Sequence, residues 1–426
     1  MISATGHRRR TLQATGTRFR LYPQPPVLAA IQGPETVWVS PVAGSIRPGP
    51  ADDRMYVVDA IGKHLPYDYP YLPPYHGRHH PPVEPGADGH FDHLEPASRE
   101  FMAAHLYGTL RFVLDVWEKY FGGEIPWHFA DDYPRLELIP HVDWNNAHCG
   151  YGFIETGDAR PGAPDPLPFC LNFDVLAHEM GHAFLYSLLG TPSSRQTSAE
   201  YLAFHESAAD CVAMIAVLHF DSVVDRLLRN TRGNIYQPNE LNRIGELSET
   251  QQIRLASQSL TLDNVPDLRT PVAALSYPQI HAMGLPLTGA VFDALVEVFQ
   301  EILLQEGFIS RELDDVSRQV DAAPPDEVQA GFDRAYAGRH DDFKAALLDA
   351  RDYMGRCLSL AWSRLSWDLT IGEVAAALVS ADSEFTGGMG RRILLDSLLW
   401  RGIQAPFRSA ARCYSKRMAT VRTKGT

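Results

Sequence analysis

The stretch FDVLAHEMGHAFLYSLLG (173–190) sets His178 and His182 four residues apart, with Glu179 directly after the first histidine. On a helix, residues four apart share a face one turn from each other. Both imidazoles can then offer ring nitrogens to one ion, at the roughly 2.0–2.1 Å that suits zinc. Glu179 is rotated by roughly 100° from His178. It lies beside such an ion without binding it, where it can take a proton from an attacking water. The surrounding positions are apolar: Val175, Leu176, Ala177, Met180, Ala183, Phe184 and Leu185. A helix of that composition is buried, and burying two imidazoles and a carboxylate without partners is costly. An ion and its water remove that cost; the bland alternative is two histidines that fall four apart by coincidence.

A hydrolytic zinc site needs a third protein ligand and an open fourth position. FHESAADCVAMIA (204–216) supplies Glu206 and Asp210, again four apart on an apolar helix with Ala208, Ala209, Val212 and Ala213 around them. Glu206 suits the ligand. Asp210 suits the hydrogen bond that orients a ligand imidazole from behind. His205 competes as a ligand but belongs to another face of the helix.

The elements that must hold these residues are legible in part. SREFMAAHLYGTLRFVLDVWEKYFGG (98–123) opens on Ser98 as an N-cap and closes on two glycines. Its apolar residues recur at steps of three and four, which predicts a long core helix. Strand-like runs occur at 35–40, 54–60, 135–142 and 150–157, and residues 1–26 read as weakly ordered. Residues 62–96 are rich in Pro, His, Tyr and Gly and read as an extended segment laid over a surface. Helical patterns fill 173–189, 199–220, 286–306, 341–365, 371–381 and 389–401. The expected organisation is a Pro/His-rich extension (1–97), a catalytic lobe (98–220), a mainly helical lobe (221–407) and a basic tail (408–426).

Composition narrows the partners. The 426-residue chain carries a formal charge of −14, which disfavours binding to phosphate backbones. No apolar run approaches the length of a membrane helix. The start lacks an apolar secretory core, so a cytoplasmic location is expected, with export by another route open. Five cysteines, widely spaced and without a CxxC pair, argue against a disulfide framework, although a single bridge between Cys149 and Cys170 stays open.

His178-Glu179-x-x-His182 followed by Glu206-x-x-x-Asp210 resembles the gluzincin metallopeptidases, the thermolysin-like proteases in particular. The resemblance covers roughly 98–300 and includes NNAHCGYGFIETG (145–157) and YPQIHAMGLPLTGAVFDAL (277–295). It implies an α+β, zincin-type fold, with a β-containing N-terminal lobe, a helical C-terminal lobe and the zinc cleft between them. It implies that His178, His182 and Glu206 hold one catalytic Zn²⁺ and that Glu179 is the general base. His281 would donate to the oxyanion, and Asn146 with the Ala147 carbonyl would bind the main chain of a peptide or protein substrate. An arginine that binds the substrate carbonyl is also implied, with Arg243, Arg254 and Arg269 all open. The family's assisting tyrosine has no match between His182 and Glu206. Asp174 matches one calcium-binding position, but its companion acids do not follow Asp210, so calcium stays open.

Two other functions compete with an endopeptidase. A gluzincin aminopeptidase would need an acidic motif before the zinc helix to hold a free amine, and NNAHCGYG is not acidic. A zinc-stabilised binding protein without turnover would have no use for Glu179, which does not hold the metal.

Overall fold

The computed structural model describes residues 16–28, 33–163, 166–248, 250–318 and 324–406; the basic tail lies outside them. Helix α1, Arg99–Phe121, begins where the Ser98 side chain accepts the Phe101 N–H and ends at Gly122 in a left-handed conformation (φ 77°). It buries Phe101, Leu110, Leu114 and Trp117. Strand β1, Gly16–Leu21, pairs antiparallel with β2, Glu35–Val42, and both pack on α1. That corrects the reading of 1–26 as weakly ordered over its described part. Phe19 and Leu21 alternate inward with Arg18 and Arg20 between them, a period-two pattern too short to stand out beside its basic flank.

A four-stranded sheet follows, in the order β3 (Met55–Val57), β4 (Leu136–Ile139), β6 (Phe153–Thr156), β5 (Ala147–Gly150). The first three strands run parallel, and β5 returns antiparallel along the outer edge. The apparent single strand at 150–157 is therefore half of a hairpin that turns at Tyr151-Gly152, where Gly152 takes φ 88°.

Helix α2, Phe173–Leu189, is capped by the Asn172 side chain, which accepts the Val175 N–H. Helix α3, Ala199–Val217, is capped in the same way by Ser198. Two glycines bring the helices together. A Cβ on Gly181 would lie 2.9 Å from Ala209 Cα, and one on Gly284 would lie 2.8 Å from the Ala203 carbonyl oxygen. α3 thereby lies close to both α2 and α5, Tyr277–Gln305.

Helix α5 starts nine residues before the expected 286. Ser276 and Gln279 form a capping box, Pro278 occupies the first turn, and the helix continues through Pro286. His281 is thus a helical residue, not one in a leading loop. By length and composition α5 could cross a membrane, the one such helix among the described residues, but 78% of its most apolar window is buried in the protein. It is a core helix.

Between α3 and α5 lie α4 (Asp221–Thr231) and a hairpin of β7 (Arg243–Ser248) and β8 (Gln251–Leu255), none of which was expected. The C-terminal part comprises α6 (Arg311–Ser317), α7 (Pro325–Tyr336), α8 (His340–Trp362), α9 (Ile371–Phe385) and α10 (Arg391–Trp400). One apolar core runs from Phe19 to Ile403, with Trp117 of α1 stacked on Trp362 of α8 at 5.1 Å.

Candidate metal centre

Helix α2 presents His178 and His182 on one face, and α3 brings Glu206 against them. The two Nε2 atoms are 3.0 Å apart. Glu206 sets Oε2 at 3.5 Å from His178 Nε2 and Oε1 at 3.6 Å from His182 Nε2. Among the described residues this is the one three-residue group whose ligand atoms come within 4.8 Å of each other. Four-coordinate bonds of about 2.0–2.1 Å separate neighbouring ligand atoms by about 3.3 Å, so the donor set has the size of a tetrahedral ion.

The far side of each ring is held as well. His178 Nδ1 donates to Asp210 Oδ1 at 2.9 Å, which leaves the Nε2 lone pair facing inward. His182 Nδ1 lies 3.2 Å from His205 Nδ1. With the hydrogen on His182, its Nε2 also turns a lone pair inward. His205 is thus behind His182 and outside the ligand set. Two lone pairs and a carboxylate aimed at one point repel each other unless a cation lies there, and this fits the group the sequence implied.

Electrostatics agree. A proton competes with an ion for the inward nitrogen of His178: burial and Arg254 oppose the proton, yet the bonds to Asp210 and Glu206 prevail and lift that imidazole to about 9, so an ion binds there by displacing it. Burial and the neighbouring His178 press His182 well below the usual imidazole range. Glu206, despite its burial, is held well below the carboxylate range by hydrogen bonds from His178 and His281. The cluster therefore attracts positive charge.

Glu179 is 7% exposed and lies next to the centre. Burial pushes its carboxyl up, with Glu206 adding to the effect, while His178 and the Cys149 N–H that it accepts draw it down. Cys149 belongs to β5, so the open strand and the candidate base are in direct contact. Cys149, Cys170, Cys211 and Cys357 are all free thiols, which removes the bridge between the first two.

Three side chains from later elements complete the site. His281 Nε2 is 3.1 Å from Glu206 Oε2. Arg254 on β8 donates to Asp210 Oδ1 at 2.6 Å and to Glu206 Oε2 at 3.1 Å. Of the three arginines left open, only Arg254 reaches the centre: Arg243 pairs with Glu246 and Arg269 with exposed Asp267. The third is Tyr277, which sequence reasoning missed. Its ring is 4.1 Å from that of His281. Although the residue is 55% exposed, its hydroxyl is the inward end, bonded to Asn146. Partial burial, Glu206 and Glu179 push that phenol up to about 12.

Asn146 and Ala147 lead into β5. Thr156, which faces Ala147, gives its carbonyl to the Val142 N–H at 2.8 Å on the other side of β6. The Ala147–Thr156 pair is therefore a non-hydrogen-bonded one, and Ala147, itself 4% exposed, turns its N–H and C=O to the edge that no further strand occupies. Asp174 is buried, accepts the Gly245 N–H at 3.0 Å and is pushed up to about 7, first by burial. It adjoins Glu246 and joins no three-ligand cluster among the described residues.

No family model matches the chain, and no curated protein does. Among solved structures, the chain is similar to one described as "Precursor of Protealysin, Metalloproteinase from Serratia proteamaculans". The match covers 82% of this chain and 87% of that one, at 11% sequence identity and a TM-score of 0.44. At those values the site's own geometry has to carry the functional reading.

Proposed function

We propose that the protein is a zinc-dependent metalloendopeptidase of the thermolysin-like kind, its cleft bounded by the edge of β5, by α2 and α3, and by the start of α5. The observation that carries this reading is the pair of Nε2 atoms facing each other beneath the Glu206 carboxylate, with a buried acid beside them. His178, His182 and Glu206 would hold the ion. When bound, the ion supplies a Lewis acid next to Glu179.

This chain's own residues do the rest. An extended peptide pairs with the open edge at Ala147, which recognises main chain with little regard to sequence. Glu179 takes a proton from the attacking water and passes it to the departing nitrogen. His281 and Tyr277 lie together at the mouth of the site. Each can donate to the oxygen that becomes negative as the carbonyl is attacked, and one such donor is commonly worth about 3 kcal/mol. Arg254 neutralises Asp210 and Glu206 and supports the geometry behind the ligands.

The test is metal analysis of the purified protein together with digestion of N-terminally blocked peptides, for wild type and Glu179→Gln. We expect one zinc per chain in both proteins, cleavage of blocked peptides by wild type, and a loss of rate of roughly 10²–10⁴-fold in the variant. A variant that cleaves at the wild-type rate, or a protein that takes up no zinc, refutes the reading. Cleavage of peptides with free amino termini alone would make it an aminopeptidase.

A further inference from the structure

Side chains along β5 alternate between the two faces of the sheet. Ala147 packs with Phe169 and Val175 on the side of α2. His148 therefore faces the other way, directly opposite Glu155 of β6. Glu155 Oε1 accepts from His148 Nε2 at 2.6 Å and from the Tyr67 N–H, while Oε2 accepts from Lys63 Nζ at 2.7 Å. Glu155 and Lys63 are buried and His148 is half-buried. The rings of Trp144 and Phe153 stand edge-on to the imidazole at 4.9 and 5.1 Å. A strand that would receive substrate is thus tied, on its far face, to an ion pair supplied by the segment ahead of α1.

The main chain shows what the tie governs. Cys149–Ile154 is two residues on from Ala147–Thr156, so it too is a non-hydrogen-bonded pair. Residues 147 and 149 both turn N–H and C=O outward. The N–H of Cys149 goes to Glu179, and the groups of Ala147 are the ones that suit a peptide. His148 lies between the two and shares a peptide unit with each. Its own N–H and C=O face β6. β5 is only four residues long, and no strand lies beyond it. So short an edge, held by few backbone bonds, opens at little cost in free energy. A hydrogen bond to an ionised carboxylate is among the stronger ties available to it.

We propose that His148 is a positioning residue: anchored on Glu155 and Lys63, it holds the edge of β5 in the conformation that pairs with a peptide main chain. The proposal rests on the peptidase reading of the adjoining centre. His148 acts through the strand, since its ring is on the face away from α2. An edge already ordered spares a peptide the cost of ordering it, so the tie is felt in substrate binding. Glu179 keeps its own place on α2, so the rate of the chemical step depends on the tie much less.

Two variants of the full-length, zinc-loaded protein test this. His148→Phe keeps a ring between Trp144 and Phe153 but has no donor for Glu155, whereas His148→Gln keeps an N–H near the place of Nε2. Amide hydrogen exchange followed by mass spectrometry reads the strand, and digestion of N-terminally blocked peptides reads KM and kcat. In His148→Phe we expect the β5 amides to exchange about tenfold faster with those of α1 unchanged. We expect KM to rise about fivefold and kcat to change by less than about twofold. His148→Gln should restore both readouts toward wild type. Wild-type exchange and KM in His148→Phe, or a His148→Gln protein that behaves like His148→Phe, would overturn the proposal. A lower melting temperature with KM unchanged would also overturn it, by making the residue merely structural. Cleavage by wild type with the same KM in both variants removes the positioning role and leaves the peptidase. Faster β5 exchange in His148→Phe, reversed in His148→Gln, without cleavage by any of the three proteins, removes the peptidase and leaves the tie on the strand.

Discussion

Asp210 illustrates how much one carboxylate does at this centre. It accepts from His178, from Arg254 and, at 3.4 Å, from the Thr288 hydroxyl. Replacing it with Asn keeps the shape but removes the charge that orients His178. We expect Asp210→Asn to weaken zinc binding by roughly 10–100-fold, as measured by competition with a chelator. Tyr277→Phe should leave zinc content unchanged and lower kcat by roughly tenfold or more, with KM little altered, because its hydroxyl is one donor among several. The residues differ in how far they could be read beforehand. Glu206 and Asp210 stood out because acids at i, i+4 on an otherwise apolar helix need a reason to be there. Arg254 did not stand out, because nothing in its local sequence separates it from Arg243 or Arg269; only the fold of its hairpin does. Tyr277 carries a signal of its own: it is four residues before His281, the same spacing as His178 and His182.

That signal depended on where a helix begins. Ser276 and Gln279 are a Ser-x-x-Gln capping box, but Pro286 masks the true start in the sequence, since an internal proline more often marks a helix boundary. The β7–β8 hairpin stayed hidden for a different reason. RIGELS and QQIRL are short and largely polar, and their alternation is confined to Ile253-Arg254-Leu255, too brief to mark a period. Where helices touch, small residues set the distance. Gly284→Ala would bring its methyl within 3.1 Å of Glu206 Cβ and 2.8 Å of the Ala203 carbonyl oxygen. We expect it to force α5 from α3, costing about 1–3 kcal/mol in denaturant unfolding and weakening zinc binding in parallel. A second element-level device is His105 on α1. Its Nε2 accepts the Tyr22 N–H at 2.9 Å and its Nδ1 donates to the Cys170 carbonyl at 2.8 Å. Burial lowers it to about 4. The unfolded imidazole takes up its proton near 6.5, the folded one only near 4. Between these values acid binds the unfolded chain preferentially, so stability falls as pH drops, by up to about 1.4 kcal/mol per pH unit from this group. Melting temperatures of wild type and His105→Gln between pH 7 and 4 should show a shallower decline in the variant.

Across the whole molecule, the Pro- and Tyr-rich segment before α1 covers one face of the sheet and serves two carboxylates that point away from the centre. Glu137 on β4 accepts from the Tyr56 and Tyr67 hydroxyls at 2.7 and 2.6 Å and from the Tyr75 N–H. Glu155 on β6 pairs with Lys63 at 2.7 Å and with His148 of β5 at 2.6 Å. Both carboxylates are fully buried, and Lys63 is 4% exposed. Removing one partner of a buried ion pair strands the other, so Lys63→Ala should cost roughly 3–5 kcal/mol in equilibrium unfolding. The extended character of this segment was readable from its prolines, but its anchors were not, because Lys63 and Glu155 are 92 residues apart. The linkage reaches the chemistry, since His148 lies in the strand that would receive substrate. A protease cutting between Tyr75 and α1 would do more than shed a flap: loss of the leading piece would take both tyrosine hydroxyls from Glu137 and Lys63 from Glu155, leaving His148 as the ring still bonded to Glu155. Loss of the segment ahead of α1, under a quarter of the chain, should therefore loosen the sheet that ends in β5 instead of uncovering a ready-made cleft.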